Sequence, residues 1–459
     1  MTLSESEQRS SEETATTVPK KRPGENLGED SANDTTSSSS TVKRKSAKKP
    51  KGKRLRIEGD GGEREEDKHV EYFEENGLHK VKPYFFEYRA YAKGRWIGKP
   101  LLRVFVDEFR DRTQSYYEYA IRKGLITLNS EMVSPETLVR NQDVVGHRIH
   151  RHEPPVSAQP IRVVARADNL VVIDKPASVP VHPSGRYRYN TVLYIMQLKM
   201  GFGKLYPVNR LDRLTSGLMI LALTQEKARA MEQQMQERTI RKEYLCRVQG
   251  RFPKGDVECS EPILTVSHKL GLNTVHPEGK PCKTLFRLIS YSPASNTSLV
   301  HCKPLTGRTH QIRVHLQFLG HPICGDPLYG NKKAWGDELG KGGLGGDESK
   351  TKHVIDRLLE EGVAEEEWGR AVARETKEQD KGDKEEEEEK EGSGNQEKTG
   401  ENIFCDECAV ARFRDPRPEE LALLLHAWRY EGEGWAYETE RPAWAEEGWE
   451  AGAVNPSEE

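Results

Sequence analysis

The chain contains 459 residues, of which 34% are hydrophobic and 32% are charged, and its mean hydropathy is −0.81. This length is enough for two or three domains, but so polar a composition predicts that part of the chain lies outside any hydrophobic core. No stretch approaches roughly 18 consecutive apolar residues, so we expect no membrane-spanning helix. Seven thinly spread cysteines favour a reducing compartment over a disulfide scaffold.

The net charge of −3 is an average over regions of opposite sign. Residues 161–330 carry 24 basic and 12 acidic side chains, a net of +12, whereas residues 331–459 carry 18 and 36, a net of −18. A cationic centre favours a polyanionic partner such as nucleic acid. Uneven solvation charge is the alternative explanation.

Residues 1–68 are rich in Ser, Thr, Glu, Lys and Gly, a composition that predicts a disordered tail. Within it, residues 43–56 hold nine Lys and Arg and no acid, which is typical of a nuclear targeting signal or a phosphate-binding arm; a solvating tail is the alternative. The first 13 residues carry four glutamates and one arginine, so they lack the features of a secretory signal or a transit peptide. We therefore expect the cytoplasm, the nucleus or both, with a mitochondrial location less favoured.

The folded part of the chain is expected to begin near residue 70. Residues 69–100 are predicted to extend this folded part at its amino-terminal side. Residues 101–155 have the pattern of a small module of short helices followed by strands. Gly124 is placed to end one helix, and strands are predicted at 125–128 and 143–147.

Residues 156–330 have the signals of a larger domain in which helices and many short strands are mixed. The elements predicted within it are, in chain order, strands at 170–173 and 218–223, a helix that starts at Thr224, a strand through Tyr244, Cys246 and Val248, a strand at 299–302, and a helix from Thr309 to Gly320.

Residues 331–400 include a glycine cluster at 340–346 and an acidic run at 385–389, and we predict a disordered acidic insertion. Residues 401–447 are rich in apolar and aromatic side chains and are expected to pack on the larger domain, before a tail at 448–459. A long insertion is tolerated because the entropy of loop closure rises only logarithmically with length.

Asp212 lies between Arg210 and Arg213, in a predicted turn directly before an apolar strand. One interpretation is a turn-forming aspartate whose side chain accepts backbone N–H bonds. The other is a carboxylate that nearby arginine charge keeps ionised, available as a nucleophile or a base.

Residues 306–316 place Arg308, His310, Arg313 and His315 at a junction between a loop and a helix, where basic side chains suit phosphate. Ile312 is expected to face the core, so Arg313 flanks the buried face and can reach an inward partner. A cationic face turned to solvent is the alternative.

Metal and cofactor sites are not indicated by the sequence. Cys405 and Cys408 form a single CxxC without a second pair nearby, which is a weak signal for structural zinc, and the order of residues required by a zinc deaminase is missing. The chain has no phosphate-binding P-loop and no GxGxxG motif. We expect neither a metal nor a nucleotide cofactor.

Four segments in order resemble the motifs of the RluA-type RNA pseudouridine synthases, especially their eukaryotic tRNA branch. These segments are residues 168–182, 209–217, 241–245 and 307–330. Residues 101–155 resemble the small α-L RNA-binding module that often precedes this catalytic domain, and residues 405–444 are similar to the carboxyl end of the eukaryotic branch. Two departures are Asn209, where many members have His although the eukaryotic branch also shows Asn, and the acidic insertion.

The resemblance implies an α+β fold, with a mixed and largely antiparallel sheet flanked by helices, and an isomerase that needs no cofactor. It implies that Asp212 is the nucleophile or base, that Arg313 pairs with it, and that Tyr244 stacks on a uracil flipped out of the RNA. Arg210 would fill the gap that the base leaves. The other expected substrate-binding residues are Arg213, Arg308, His310 and His182.

The best estimate of function is therefore a tRNA pseudouridine synthase that acts on the anticodon-loop uridine at position 32. Flipping a base costs least in an unpaired loop, which favours such a substrate. The alternatives are a pseudouridine synthase for ribosomal or messenger RNA and a non-catalytic RNA-binding relative. A bifunctional riboflavin-pathway protein is disfavoured because the acidic rear segment is too short for a deaminase domain.

Overall fold

The computed structural model describes residues 70–109, 113–361, 415–417, 420–446 and 448–449. The predicted tail with its basic cluster, the acidic run at 385–389 and the CxxC pair lie outside the described residues. In the described part, no helix is both long enough and apolar enough to cross a bilayer.

The amino-terminal part contains two small sheets. Strands β1 (Tyr72–Glu75) and β2 (Leu78–Val81) form a hairpin whose loop residues, Asn76 and Gly77, have φ of 51° and 71°, the conformation that favours an Asn-Gly loop. The second sheet has the order β3-β5-β4, with β3 at Tyr84–Tyr91, β4 at Ile126–Leu128 and β5 at Val144–Arg151. Strand β6 (Val156–Ser157) pairs with β2.

Helices α1 (Leu101–Glu108) and α2 (Gln114–Arg122) pack on the second sheet, with Leu101, Phe105 and Tyr117 in a shared core. The observed order of helices and strands between 101 and 155 agrees with the predicted order. The identification of this part as an α-L module stays a prediction.

A ten-stranded sheet forms the larger domain, in the order β12-β15-β16-β11-β17-β10-β8-β7, with β9 beside β10 and β18 beside β17. The pairs within it are antiparallel except for β10 with β17, so the predicted mixed and largely antiparallel sheet is confirmed. Its strands are β7 (Arg162–Ala167), β8 (Leu170–Lys175), β9 (Tyr206–Pro207), β10 (Ser216–Ala222), β11 (Arg241–Gln249), β12 (Asp256–Cys259), β15 (Thr284–Ser292), β16 (Thr297–Pro304), β17 (Leu425–Gly432) and β18 (Trp435–Glu438).

Strand β17, which is late in the sequence, lies at the centre of this sheet between β10 and β11. Residues 425–432 therefore supply a central strand of the domain. The parallel approach of β10 to β17 requires Gly217, because a Cβ atom there would lie 2.2 Å from the carbonyl oxygen of Ala427 and its φ is +107°.

Three helices of the domain are α3 (Val192–Leu198), α4 (Gln225–Gln236) and α5 (Gln311–Phe318). The predicted start of a helix at Thr224 agrees with the structure, in which the Thr224 hydroxyl accepts a hydrogen bond from the Lys227 N–H at 3.2 Å and caps α4. Helix α5 begins two residues later than the predicted Thr309, because His310 has a left-handed φ of 56° and cannot lie inside a helix.

The predicted disorder of residues 331–400 is wrong for residues 331–361. They form α6 (Lys332–Trp335) and α7 (Glu348–Glu360), which pack against the hairpin of β13 (Ile263–Ser267) and β14 (Leu272–Val275). Buried side chains of this packing include Trp335, Leu344, Val354 and Leu358. The helical spacing of Val354 and Leu358 in α7 was hidden by the high charge of the surrounding sequence.

Candidate active site

Asp212 lies in the loop between β9 and β10, and this loop folds back along β10. The Val208 N–H donates to the Ile220 carbonyl at 3.0 Å, and the Ile220 N–H donates to Oδ1 of Asn209 at 2.9 Å. The backbone carbonyl of Asp212 accepts from the Thr215 N–H at 3.1 Å. The turn is therefore held by backbone and by Asn209, which leaves the Asp212 carboxylate available for another partner.

That partner is α5, 101 residues further along the chain. Oδ2 of Asp212 lies 3.3 Å from Nη1 of Arg313 and 3.6 Å from Nε2 of His310, and the Asp212 side chain remains 30% exposed. The structure thus has the inward-reaching Arg313 of the prediction rather than a solvated cationic face. Asp212, Arg313 and His310 are brought together.

Arg313 is itself held by a second carboxylate that is fully buried. Its Nε and Nη2 atoms donate to the two oxygens of Asp326 at 2.8 and 2.9 Å, and the exposed fractions of the two side chains are 6% and 0%. Asp326 also accepts from the Leu328 and Tyr329 N–H groups at 3.0 Å. The guanidinium is therefore fixed in orientation by a bidentate pair, with its remaining edge directed at Asp212.

The charges of this cluster keep Asp212 ionised. Burial alone would raise the pKa of Asp212, but the charges of His310, Arg313 and Arg210 and the hydrogen bond from Arg313 outweigh it, so that pKa is lowered. Burial opposes the charge of Arg313 as well, yet the pKa of Arg313 is raised because Asp326 and Asp212 surround it. Both groups therefore carry full charge near neutral pH.

Tyr244, on β11, contributes a phenol to the same site. Its hydroxyl is 2.8 Å from the hydroxyl of Tyr430 on β17, which accepts a hydrogen bond from Nδ2 of Asn209 at 3.3 Å. Burial raises the pKa of Tyr244 to about 12; the hydrogen bond with Tyr430 opposes the rise and the Asp212 charge adds to it. Tyr244 is therefore a neutral phenol whose hydroxyl is held by Tyr430, and Tyr430 is held in turn by Asn209.

The other residues predicted for the substrate are dispersed around this cluster. Arg210 is exposed, and its charge lowers the pKa of Asp212 and, after the larger effect of burial, that of His182. Arg213 lies over the ring of Tyr187 at 5.8 Å, and Arg308 donates twice to the Pro281 carbonyl at 3.3 Å. The last two side chains thus have contacts other than the Asp212 carboxylate.

Three supporting residues were missed by the sequence reasoning. Asp326 and Lys175 stand inside matched motif segments, which was the available signal, whereas nothing local in the sequence distinguishes Tyr430. Lys175 is completely buried, and its ammonium donates to the carbonyls of Pro176, Val179 and Arg213 at 2.8, 2.9 and 3.1 Å. Through the Arg213 carbonyl, Lys175 holds the loop that carries Asp212. Burial lowers the pKa of Lys175 to about 7, so keeping its ammonium charged inside the protein costs free energy.

Among the described residues, no group of three or more His, Cys, Asp or Glu side chains is arranged to hold a metal ion. The possible zinc ligands Cys405 and Cys408 lie outside the described part.

Comparison with known proteins identifies the family. Residues 169–318 match the family model described as RNA pseudouridylate synthase. The human protein named Pseudouridylate synthase RPUSD2 is 42% identical over 418 residues, which cover 83% of this chain and 75% of that protein. Two Saccharomyces cerevisiae proteins also match, a "tRNA pseudouridine(32) synthase, mitochondrial" at 42% identity (83% of this chain, 80% of that one) and a "tRNA pseudouridine(31) synthase" at 33% identity (82% and 98%).

The expectation that a mitochondrial location is less favoured is wrong, because one of these relatives, 42% identical to the chain, is named mitochondrial. Acidic opening residues were therefore not a sound basis for the compartment. The resemblance found in the four sequence motifs is confirmed by the family model and by the relatives. The chain belongs to the RluA-type family of RNA pseudouridine synthases and is an isomerase.

Proposed function

We propose that this protein converts a uridine of tRNA into pseudouridine, and that the uridine is at position 32 of the anticodon loop. The observation that best supports this proposal is the state of the Asp212 carboxylate, which is ionised and partly open to solvent. It is paired with Arg313, and the buried carboxylate of Asp326 holds Arg313 in place. An ionised carboxylate is the form that can act as a nucleophile or a base.

The names of the relatives support tRNA as the substrate class. Both yeast relatives are named for anticodon-region positions, 32 and 31, and the one named for position 32 shares more residues with this chain. Position 32 is therefore the proposed target and position 31 the nearest alternative.

The reaction is an isomerisation, in which the N1–C1′ bond of the uridine breaks and a C5–C1′ bond forms. The hydrogen at C5 leaves as a proton, and N1 gains one. In this proposal Asp212 attacks the sugar or the ring, or takes the proton; all three roles require the ionised form that Arg313 maintains. Arg313 itself cannot serve as the base because its pKa is raised.

Tyr244 provides a neutral aromatic surface beside Asp212 on which the uracil can stack. Its hydroxyl is held by Tyr430, so the ring has a fixed position before the RNA arrives. Exposed Arg210 is placed to occupy the gap in the RNA stack, since flipping a base costs a few kcal/mol that such a contact offsets. His310 and His182 are proposed to contact the nucleotide at the edge of the active site.

The test is position-by-position mapping of pseudouridine in unmodified tRNA transcripts incubated with wild type, with Asp212→Ala and with Asp256→Ala. Asp256 is a matched control because it is an exposed aspartate on β12, the first strand in the order of the sheet, where it pairs with Arg287. Product at position 32 with wild type and Asp256→Ala, and none with Asp212→Ala, is the expected result.

Product at position 31 alone would correct the position. Product only in ribosomal or messenger RNA would refute tRNA as the substrate. Tight, salt-sensitive RNA binding without product from any RNA would favour the non-catalytic relative, and full activity of Asp212→Ala would refute the role of that residue.

A further inference from the structure

A basic cavity of about 890 Å³ is lined by residues that are close in sequence to those of the candidate active site, since Lys242 is two residues before Tyr244 and Arg308 two residues before His310. It is formed by the end of α4, the start of β11, the end of β16 and the loop before α5. Five basic side chains line it: Arg238, Arg241, Lys242, Lys303 and Arg308. Of these five residues, Arg308 is the one to which a substrate-binding role was assigned above.

Lys242 connects the cavity to the active site. It precedes Tyr244 by two residues on β11, and it is paired across the sheet with Tyr430, whose hydroxyl is 2.8 Å from that of Tyr244. Its Nζ atom lies 3.9 Å from the point where a Cβ atom on Gly307 would stand, so the ammonium lies against the loop before α5. Burial lowers the pKa of Lys242, and within the described residues no hydrogen bond or ion pair is found for its ammonium.

Among the described residues, no acid of the cavity pairs with Lys242, although Glu243 offsets part of the charge of its neighbours. Glu243 also lines the cavity, and its carboxylate lies 3.3 Å from Lys303 and 2.6 Å from His301. Arg241 has a loose contact of 4.0 Å with Glu431 at the surface. Like charges that converge in a partly buried space cost free energy unless an anion is bound between them.

Two features of the rim suit a phosphate group. Arg308 is anchored by two hydrogen bonds to the Pro281 carbonyl, which fixes a cation at the mouth of the cavity. Gly307 leaves the space beside the Lys242 ammonium open. A lysine ammonium acts as a compact point charge for phosphate, and it requires no particular direction of approach.

We infer that this cavity binds a backbone phosphodiester of the RNA strand that carries the target uridine, with Lys242 as its direct contact. The inference rests on the proposed function, and it names a subsite of that same RNA. Lys242 and Tyr244 are separated by about 7 Å along the strand. A nucleotide stacked on Tyr244 therefore has a neighbouring phosphate within reach of Lys242.

The experiment measures the affinity of the full-length protein for an anticodon stem-loop RNA as a function of salt. The variants are Lys242→Met, the charge-keeping Lys242→Arg, and Lys254→Met as a matched control, since Lys254 is an exposed lysine beyond the far end of β11. Lys242→Met is expected to weaken binding about tenfold and to reduce the slope of log K against log salt by about 0.7–0.9, the value for one lost phosphate contact. Lys242→Arg and Lys254→Met are expected to keep the wild-type slope.

A second arm identifies the phosphate. RNAs that carry one neutral methylphosphonate at each linkage flanking the target uridine are titrated against wild type and Lys242→Met. One linkage is expected to weaken wild type about tenfold and to have no further effect on Lys242→Met. Additive effects at every linkage, or an unchanged salt slope in Lys242→Met, would overturn the inference.

Inorganic phosphate distinguishes a free anion from the RNA backbone. Phosphate that binds wild type without competing against the stem-loop would also overturn the inference, because the strand would then lie elsewhere. Thermal unfolding verifies that Lys242→Met is folded, and Lys242→Gln replaces it if it is not.

Pseudouridine formation by wild type is scored separately. Its failure would refute the proposed function whatever the titrations show. If it succeeds, Lys242→Met is expected to raise KM and leave kcat unchanged, because a backbone phosphate is held equally in the ground state and the transition state.

Discussion

Asp326→Asn is the sharpest test of how the site is held together. The substitution keeps the shape of the side chain and leaves an oxygen that can still accept from the Leu328 and Tyr329 N–H groups. It removes the negative charge that faces the Nε and Nη2 atoms of Arg313. Among the described residues, the acid that would still pair with the buried Arg313 is then the partly exposed Asp212.

The expected loss of stability follows from how deeply the pair of Arg313 and Asp326 is buried. Removal of one partner of a buried ion pair costs about 3–5 kcal/mol, and the exposed fractions of 6% and 0% place this pair in that class. The retained amide oxygen favours the lower end, so the free energy of unfolding should fall by about 3 kcal/mol. Activity should fall as well, because Arg313 loses the contact that directs it at Asp212.

Urea unfolding and pseudouridine formation measure the two effects, with Asp256→Asn as the control. Asp256 and Arg287 also form a two-bond pair, but both side chains are about two-thirds exposed, so solvent screens them and little change is expected. Equal and small effects of Asp326→Asn and Asp256→Asn would refute the view that a buried pair positions Arg313.

The pH dependence of the Asp326 effect has a defined sign. Burial would raise the pKa of Asp326, but Arg313 and the two backbone N–H groups lower it below its usual value. A carboxylate with a depressed pKa stabilises the fold above its unfolded pKa of about 3.9, and this contribution is lost as pH falls through the folded pKa. The stability gap between wild type and Asp326→Asn should therefore be full at neutral pH and close in strong acid.

Three further predictions concern the supports of the site. Tyr430→Phe removes the hydroxyl that lies between Tyr244 and Asn209. The kcat should therefore fall, and the unfolding free energy should drop by about 1–3 kcal/mol. The control Tyr437→Phe, on the neighbouring strand, should change neither quantity. The pKa of Lys175 is about 7 in the folded protein and about 10.4 in the unfolded chain, so the unfolded chain binds more protons between these pH values. The free energy of unfolding of the wild type should therefore rise by about 1 kcal/mol per pH unit near pH 8. Denaturation of Lys175→Met should show no such rise. Gly217→Ala should lower the unfolding free energy by about 2–4 kcal/mol, because its Cβ would meet the Ala427 backbone. Gly203→Ala should be nearly neutral, because its Cβ would meet nothing within 4 Å. A thermal shift assay compares the two variants, and a melting temperature of Gly203→Ala as low as that of Gly217→Ala would contradict the prediction.

Much of the local structure could be predicted from the sequence. The apolar run that became β10, the Thr224 cap of α4 and the alternation along β11 are properties of neighbouring residues, and the structure agrees with them. The motif segments likewise contained Asp212, Tyr244 and Arg313, which the fold brings to one site. The failures had two different causes. The charge of residues 331–361 concealed the apolar face of α7, and the left-handed backbone of His310 moved the start of α5.

What the tertiary structure alone decided is which side chains meet. The sequence by itself determined the family motifs, the charge of the domain and most of its elements, because these depend on composition and on near neighbours. The bidentate hold of Asp326 on Arg313, the contact between Tyr430 and Tyr244 across 186 residues, and the central place of β17 depend on strand order and burial. Contacts between residues so distant in sequence are set by packing in three dimensions, and no local pattern encodes them.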